Sequence, residues 1–211
     1  LPAHPDGLQR MAAILHSSGS TGKPKGAVMP EDALKMNWEV RPRQLPMLGV
    51  CFAPLNHLLG RSSLTSFLRV GGTAYFTLKP DMSTLFEDIR LVRPTYLIFF
   101  PRVFEMIYQH FQGEVASRVR AGEGSDETVR ALVAAEMGKS FLGDRLHAAM
   151  IGGAPTSRAI KDFMCSTFDL KLNDGYGNTE SGGGGLVFDG VIQRPPVIAY
   201  RLRDVPELGY Y

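Results

Sequence analysis

Ten consecutive residues, Ser17-Ser18-Gly19-Ser20-Thr21-Gly22-Lys23-Pro24-Lys25-Gly26, combine glycines, hydroxyls and two lysines. Glycines let backbone N–H groups turn toward an anion, hydroxyls donate further hydrogen bonds, and the lysines are point charges, so the composition suits a polyphosphate. A flexible Gly/Ser loop is the plainer alternative. The spacing is not that of a P-loop, which needs Gly, four residues and then Gly-Lys-Ser/Thr; here Gly22-Lys23 is followed by Pro24. Roughly 150 residues later, Asn173-Asp174-Gly175-Tyr176-Gly177-Asn178-Thr179-Glu180 offers a ring that can stack on a purine, a hydroxyl for a phosphate oxygen and a carboxylate for a hard cation. Alone, Tyr176 could be a core aromatic and Glu180 a solvated carboxylate. Gly152-Gly153-Ala154-Pro155 is a small-residue stretch that a flat ligand could approach, or simply a turn. His57 lies within Phe52-Ala53-Pro54-Leu55-Asn56-His57-Leu58-Leu59-Gly60-Arg61, and a lone histidine is more often a satisfied polar residue than a catalyst. His4, His16, His110 and His147 show no metal-ligand spacing.

Short apolar runs alternate with helical patterns, which predicts an α/β fold with largely parallel sheets and flanking helices. Strands are expected over residues 11–15, 48–53, 73–77, 95–100, 146–151, 170–176 and 197–202. Helices are expected over 31–40, 58–70, 83–92 (with Ser83 as cap) and 157–168. Val103, Phe104, Ile107, Tyr108 and Phe111 follow a 3.6-residue period, as do Val129, Leu132, Val133, Met137 and Phe141, predicting two amphipathic helices joined by a surface loop over 121–127. The Ser/Gly/Lys loop is thereby read in a strand–loop–helix context.

Lys and Arg number 23 against 21 Asp and Glu, a net charge of +2 with no basic cluster, which argues against a nucleic-acid partner. With 44% hydrophobic and 21% charged residues the 211-residue chain can build an ordinary core. No apolar run approaches the roughly 20 residues of a membrane span, and the N-terminus shows no signal pattern, so a cytoplasmic protein is expected. Cys51 and Cys165 lack Cys-x-x-Cys spacing and are read as buried thiols rather than a disulfide or zinc site.

The residue 17–26 loop resembles the phosphate-binding signature of the adenylate-forming superfamily of acyl-CoA synthetases, peptide-synthetase adenylation domains and luciferases. The segment ending in Thr179-Glu180 resembles that superfamily's Tyr-Gly-x-Thr-Glu signature, in the expected order. The resemblance implies that Ser17, Ser18, Gly19, Ser20, Thr21, Gly22 and Lys25 cradle the β- and γ-phosphates of ATP. It further implies that Gly153 and Ala154 border the adenine and acyl pocket, that Tyr176 stacks on adenine and Asp174 accepts from its amino group within the stretch Asp174, Gly175, Tyr176 and Gly177, that Thr179 meets the α-phosphate, and that Glu180 holds Mg²⁺. His57 would lie beside the acyl substrate. Phe188-Asp189-Gly190, Ile192-Gln193-Arg194-Pro195-Pro196 and Asp204-Val205-Pro206-Glu207-Leu208-Gly209 look like the adenylation domain of carboxylic acid reductases, with long-chain fatty acyl-CoA synthetases as runner-up. The implied activity is ATP-dependent conversion of a fatty or aromatic acid to acyl-adenylate with release of pyrophosphate, the first step toward an aldehyde. The alternatives are a CoA ligase and a non-catalytic nucleotide-binding module. In a complete enzyme the acyl group would pass to a phosphopantetheine arm, with reduction by NADPH, or to CoA. The chain starts at Leu1 and stops at Tyr211, and residues 1–211 are expected to be the central part of an adenylation domain, a partial large N-terminal subdomain. The small C-terminal lid, with the ribose-binding Asp and substrate-reaching Lys of the superfamily, would lie beyond it, so that the chain alone should bind nucleotide weakly and turn over little.

Overall fold

A computed structural model describes residues 9–17, 24–39, 47–182, 185–194, 197 and 199–209. The first element is a hairpin. β1 (Met11–Ser17) pairs antiparallel with β2 (Lys25–Pro30), from Met11–Pro30 at one end to Ser17–Lys25 at the other. Alternation decides which face turns inward: Leu15 and Met29 are buried, whereas Ile14 and Val28 remain exposed. The expected strand–loop–helix context is therefore corrected to strand–loop–strand. Gly26 to Met29 offer an alternating run whose backbone groups pair along β1, and Pro30, without an N–H, ends the ladder. α1 (Glu31–Glu39) follows directly, anchored at its start by the bidentate Arg10–Glu31 pair at 2.6 and 2.7 Å. Leu15, Met29 and Leu58 form a small core that Leu34 of α1 covers.

β3 (Leu48–Cys51), α2 (Leu58–Leu68) and β4 (Thr73–Phe76) make a βαβ unit with the strands parallel. Gly49 is obligatory there, since a Cβ would sit 1.9 Å from the fully buried ring of Phe67. α3 (Leu85–Val92) leads to β5 (Tyr96–Phe99), which is tied to β3 through Thr95 N–H donating to Leu48 O at 2.9 Å. α4 (Pro101–Arg120) and α5 (Asp126–Ser140) precede β6 (Ala148–Ile151); α6 (Arg158–Phe168) then leads to β7 (Lys171–Tyr176). A short hairpin of β8 (Val187–Phe188) and β9 (Val191–Ile192) closes a five-stranded sheet ordered β5-β6-β7-β8-β9. The first three strands run parallel, and β8 and β9 join antiparallel.

All four residues of β5 are buried because helices cover both of its faces, the arrangement expected of parallel strands in an α/β fold. Leu97 and Phe99 point to a core shared with Phe104, Ile107, Val133 and Met164 of α4 to α6. Tyr96 and Ile98 join Phe67 of α2 on the other side. Each such side chain contributes about 1.5–3 kcal/mol on burial. Arg118 of α4 reaches both Glu114 (3.3 Å) and Glu136 of α5 (2.7 Å). Its hydrogen bond holds the Glu136 carboxyl below the usual carboxylate range, so this surface tie is present at neutral pH and is lost on acidification through that lowered value.

Three further expectations are corrected. α3 starts at Leu85 with Thr84 at its cap position, not Ser83; Leu85 N–H, a donor that a Ser83 cap would use, goes to Met82 O at 3.0 Å, and the Thr84 hydroxyl donates to Asp88 at 2.8 Å. Among the described residues of 197–202 there is no strand; Tyr200 and Leu202 are exposed, and Arg194 lies over the Tyr200 ring at 5.6 Å. Cys165 is exposed on α6, whereas Cys51 is buried, and burial pushes its thiol up from its ordinary range. Ellman's reagent is accordingly expected to titrate one thiol per native chain, Cys165, and two in guanidinium. Two fast thiols in the native state would contradict the placement of β3. Among the described residues no helix is long and apolar enough to cross a membrane.

Candidate nucleotide site

Strands β5, β6 and β7 are in register, Phe99 beside Ile151 and Ile151 beside Asp174, so their carboxyl ends open on one edge of the sheet. In open α/β sheets that edge is where ligands bind. Two small-residue turns leave it. After β6, Gly152 N–H donates to Phe99 O at 3.3 Å, and Gly153 follows with φ +90°, a conformation that favours glycine. Gly153 and Ala154 are exposed. The would-be Cβ of Gly152 lies 3.5 Å from Gly175 O and 3.9 Å from Leu59, so this turn adjoins both β7 and the first turn of α2.

After β7 the chain makes a single 3₁₀ turn, Thr179–Ser181. Asn178 shapes it: its Oδ1 accepts from Ser181 N–H at 2.9 Å, and its own N–H donates to Ser181 Oγ at 3.4 Å. This reciprocal capping buries Thr179 and leaves Glu180 in solvent near the positive end of the turn, where a carboxylate is stabilised. Gly182 (φ +75°) ends the turn against α1, where a Cβ would come 2.9 Å from that of Ala33. The turn also packs on β1 and β2. The carboxylate of Glu180 and the hairpin that ends in the half-buried Ser17 and the exposed Lys25 thus belong to one packed unit, and neither Glu180 nor Lys25 makes an ion pair among the described residues. Tyr176 is 62% exposed at the end of β7, an uncommon position for a large ring.

His57 caps α2: its Nδ1 accepts from Leu59 N–H at 3.2 Å, leaving Nε2 with the ring proton. Beside it, Leu34, Leu55, Leu58, Leu64 and Arg61 line a cleft of about 340 Å³ between α1 and α2. Asp174 is less free than the adenine-acceptor reading supposes, because Lys161 Nζ pairs with its Oδ2. Ser18, Gly19, Ser20, Thr21 and Gly22 lie outside the described residues. No cluster of three or more His, Cys, Asp or Glu occurs among the described residues, so a cation at Glu180 would draw its other ligands from substrate oxygens and water. That is the habit of Mg²⁺, which takes one or two carboxylates together with phosphates.

Sequence reading named Asn178 and Asp189 only as members of motifs, without these roles, and did not name Lys161. For Asn178 a signal existed, since Asn followed three residues later by Ser has the form of a reciprocal cap.

Compared with known proteins, residues 2–205 match the AMP-binding enzyme family. The chain belongs to that family. Carboxylic acid reductase of Mycobacterium marinum is 43% identical over 206 residues, covering 95% of this chain and 17% of that enzyme. The A-PCP didomain of carboxylic acid reductase from Segniliparus rugosus, solved in complex with AMP, superposes with a TM-score of 0.86 at 40% identity, covering 100% of this chain and 29% of that one. The A domain of the same enzyme, solved with AMP and a co-purified carboxylic acid, gives 0.82 at 37% identity, with 100% and 34% covered. Long chain acyl-CoA synthetase 2 of Arabidopsis thaliana is more distant, 27% identical over 237 residues and covering 95% of this chain and 36% of that protein. The chain spans less than a fifth of the length of the M. marinum reductase.

Proposed function

We propose that this chain supplies the nucleotide side of an adenylation site that activates a carboxylic acid in a carboxylic acid reductase. The observation that carries this reading is the capped turn that holds Thr179 buried and presents Glu180, packed on the hairpin that ends at Ser17 and Lys25. The reaction is attack by a substrate carboxylate oxygen on the α-phosphorus of ATP; the P–O bond to pyrophosphate breaks and acyl-adenylate forms. Lys25, Ser17 and the hydroxyls of Ser18, Ser20 and Thr21 bind the β- and γ-phosphates, and Thr179 orients the α-phosphate. Tyr176 stacks on the base beside the Gly153–Ala154 turn. Glu180 would hold Mg²⁺, which when bound offsets the charge gathering on the departing pyrophosphate. No side-chain nucleophile is needed. The apolar cleft beside His57 suits the hydrocarbon part of an acid. The reductase branch is preferred because identity to the M. marinum reductase is 43% against 27% to the plant synthetase. On that reading the acyl group passes to a phosphopantetheine thiol and is reduced by NADPH in segments outside these 211 residues, in a cytoplasmic setting that accords with two free thiols.

Segment exchange tests this. Residues 2–205, replacing the matching segment of the M. marinum reductase, are expected to sustain acid-dependent ATP–pyrophosphate exchange. A chimera that folds and binds AMP but shows no acid-dependent exchange would reduce the chain to a nucleotide-binding module.

A further inference from the structure

Asp174 is gripped at three of its atoms by residues that the adenylation chemistry leaves without a role. On one side Lys161, in the first turn of α6, pairs with Oδ2. On the other stands Asp189, in the two-residue turn between β8 and β9, with φ +50° followed by Gly190 at +79°. Asp189 Oδ1 accepts from Asp174 N–H at 2.6 Å and Asp189 N–H donates to Asp174 O at 2.8 Å. Its second oxygen, Oδ2, accepts from Asn173 Nδ2 at 2.9 Å. A turn residue at the surface thus directs both carboxylate oxygens onto the strand that ends in Tyr176. Oδ1 of Asp174 is left without a hydrogen bond among the described residues.

We infer that Lys161 and Asp189 are positioning residues for base selection, holding Asp174 so that its remaining oxygen accepts from the exocyclic amino group of adenine. The inference rests on the adenylation reading and on Asp174 facing the base. Chemistry makes the arrangement selective: adenine presents an N–H₂ donor at that position, whereas hypoxanthine presents an oxygen, and two acceptors facing each other repel. A carboxylate locked in place enforces that difference, and one free to rotate does not. Stability alone is a poor explanation for Lys161, because its pair with Asp174 is 30% and 43% exposed, and such pairs add little.

The test is calorimetric titration of the segment-exchanged reductase with AMP and with IMP, comparing the ratio of affinities. Lys161→Met and Asp189→Gly, which keeps the left-handed turn, are each expected to cut the AMP/IMP ratio by about tenfold, with thermal midpoints checked by circular dichroism. Lys161→Arg should restore most of the ratio. Asp174→Ala should abolish selectivity. An unchanged ratio in Lys161→Met and Asp189→Gly, with selectivity lost in Asp174→Ala, overturns the positioning role alone. An unchanged ratio in Asp174→Ala removes the base-reading role on which it rests. No AMP binding by the unaltered, folded chimera overturns the functional reading itself. Should Asp189→Gly fail to fold, the Lys161 pair of variants decides.

Discussion

Glu180→Ala, placed in the segment-exchanged reductase, is expected to lower ATP–pyrophosphate exchange by a factor on the order of 10²–10³ while leaving the thermal midpoint nearly unchanged. The two halves of this expectation have separate grounds. Glu180 is exposed and makes no ion pair among the described residues, so its loss removes no packing and no partner, and surface substitutions of that kind stay within about 0.5 kcal/mol. What it removes is a carboxylate on a turn packed against the β1–β2 hairpin, with no acidic cluster to substitute for it among the described residues. Glu180→Gln separates charge from shape: it keeps the side chain's length and should be nearly as damaging, with partial recovery at high Mg²⁺. Exchange that is equally fast with Glu, Gln and Ala at position 180 would sink the metal role.

Phe99→Ala is expected to destabilise the chain by about 3–5 kcal/mol, the range for truncating a buried phenylalanine. The ring is fully buried, its centroid 4.7 Å from that of Phe104 and 6.2 Å from that of Phe52, so it links β3, β5 and α4. Against a total stability of roughly 5–15 kcal/mol for a domain, the loss is large. At roughly 2–4 °C per kcal/mol for a chain of this length the thermal midpoint should fall by about 10 °C. The effect reaches the site, because Phe99 O accepts from Gly152 N–H at 3.3 Å, where the turn beside β7 begins. A fall of less than about 3 °C would mean that this strand is not the centre of the core.

Which parts of this arrangement could be read from residue order follows from how local their causes are. β5 was legible because an apolar run flanked by helical patterns has few other uses, and the extent of α6 because its cause is local, Ser157 accepting from Ile160 N–H three residues on. The Ser/Gly/Lys and Tyr-Gly-Asn-Thr-Glu segments drew notice through their composition and carried the family resemblance that the match over residues 2–205 bears out. β2 was missed because residues 26–30 are too few to show a period, and only pairing with β1 makes them a strand. The β8–β9 hairpin was missed although Asp189-Gly190, flanked by Val187-Phe188 and Val191-Ile192, is a strong signal for a tight turn with positive φ. Lys161 and Asp174 could not have been paired in advance: 13 residues separate them, and only the return of β7 alongside β6 brings helix and strand together. Asp189 is the same case, its partners set by sheet order rather than by spacing.

The Ser17–Lys25 pair has an entropic consequence. Facing residues of an antiparallel ladder have Cα atoms about 4.5–5.5 Å apart, so the fold itself fixes the ends of the seven residues between them, 18–24. Closing a segment of that length from an open chain costs about 2 kcal/mol, and here the ladder meets that cost before any ligand arrives. An anion bound by that segment, as proposed, would meet a loop whose ends are already placed, which raises affinity through preorganisation without adding a contact. On that reading, substitutions along β1 and β2 would weaken phosphate binding even where the side chain exchanged never approaches a phosphate.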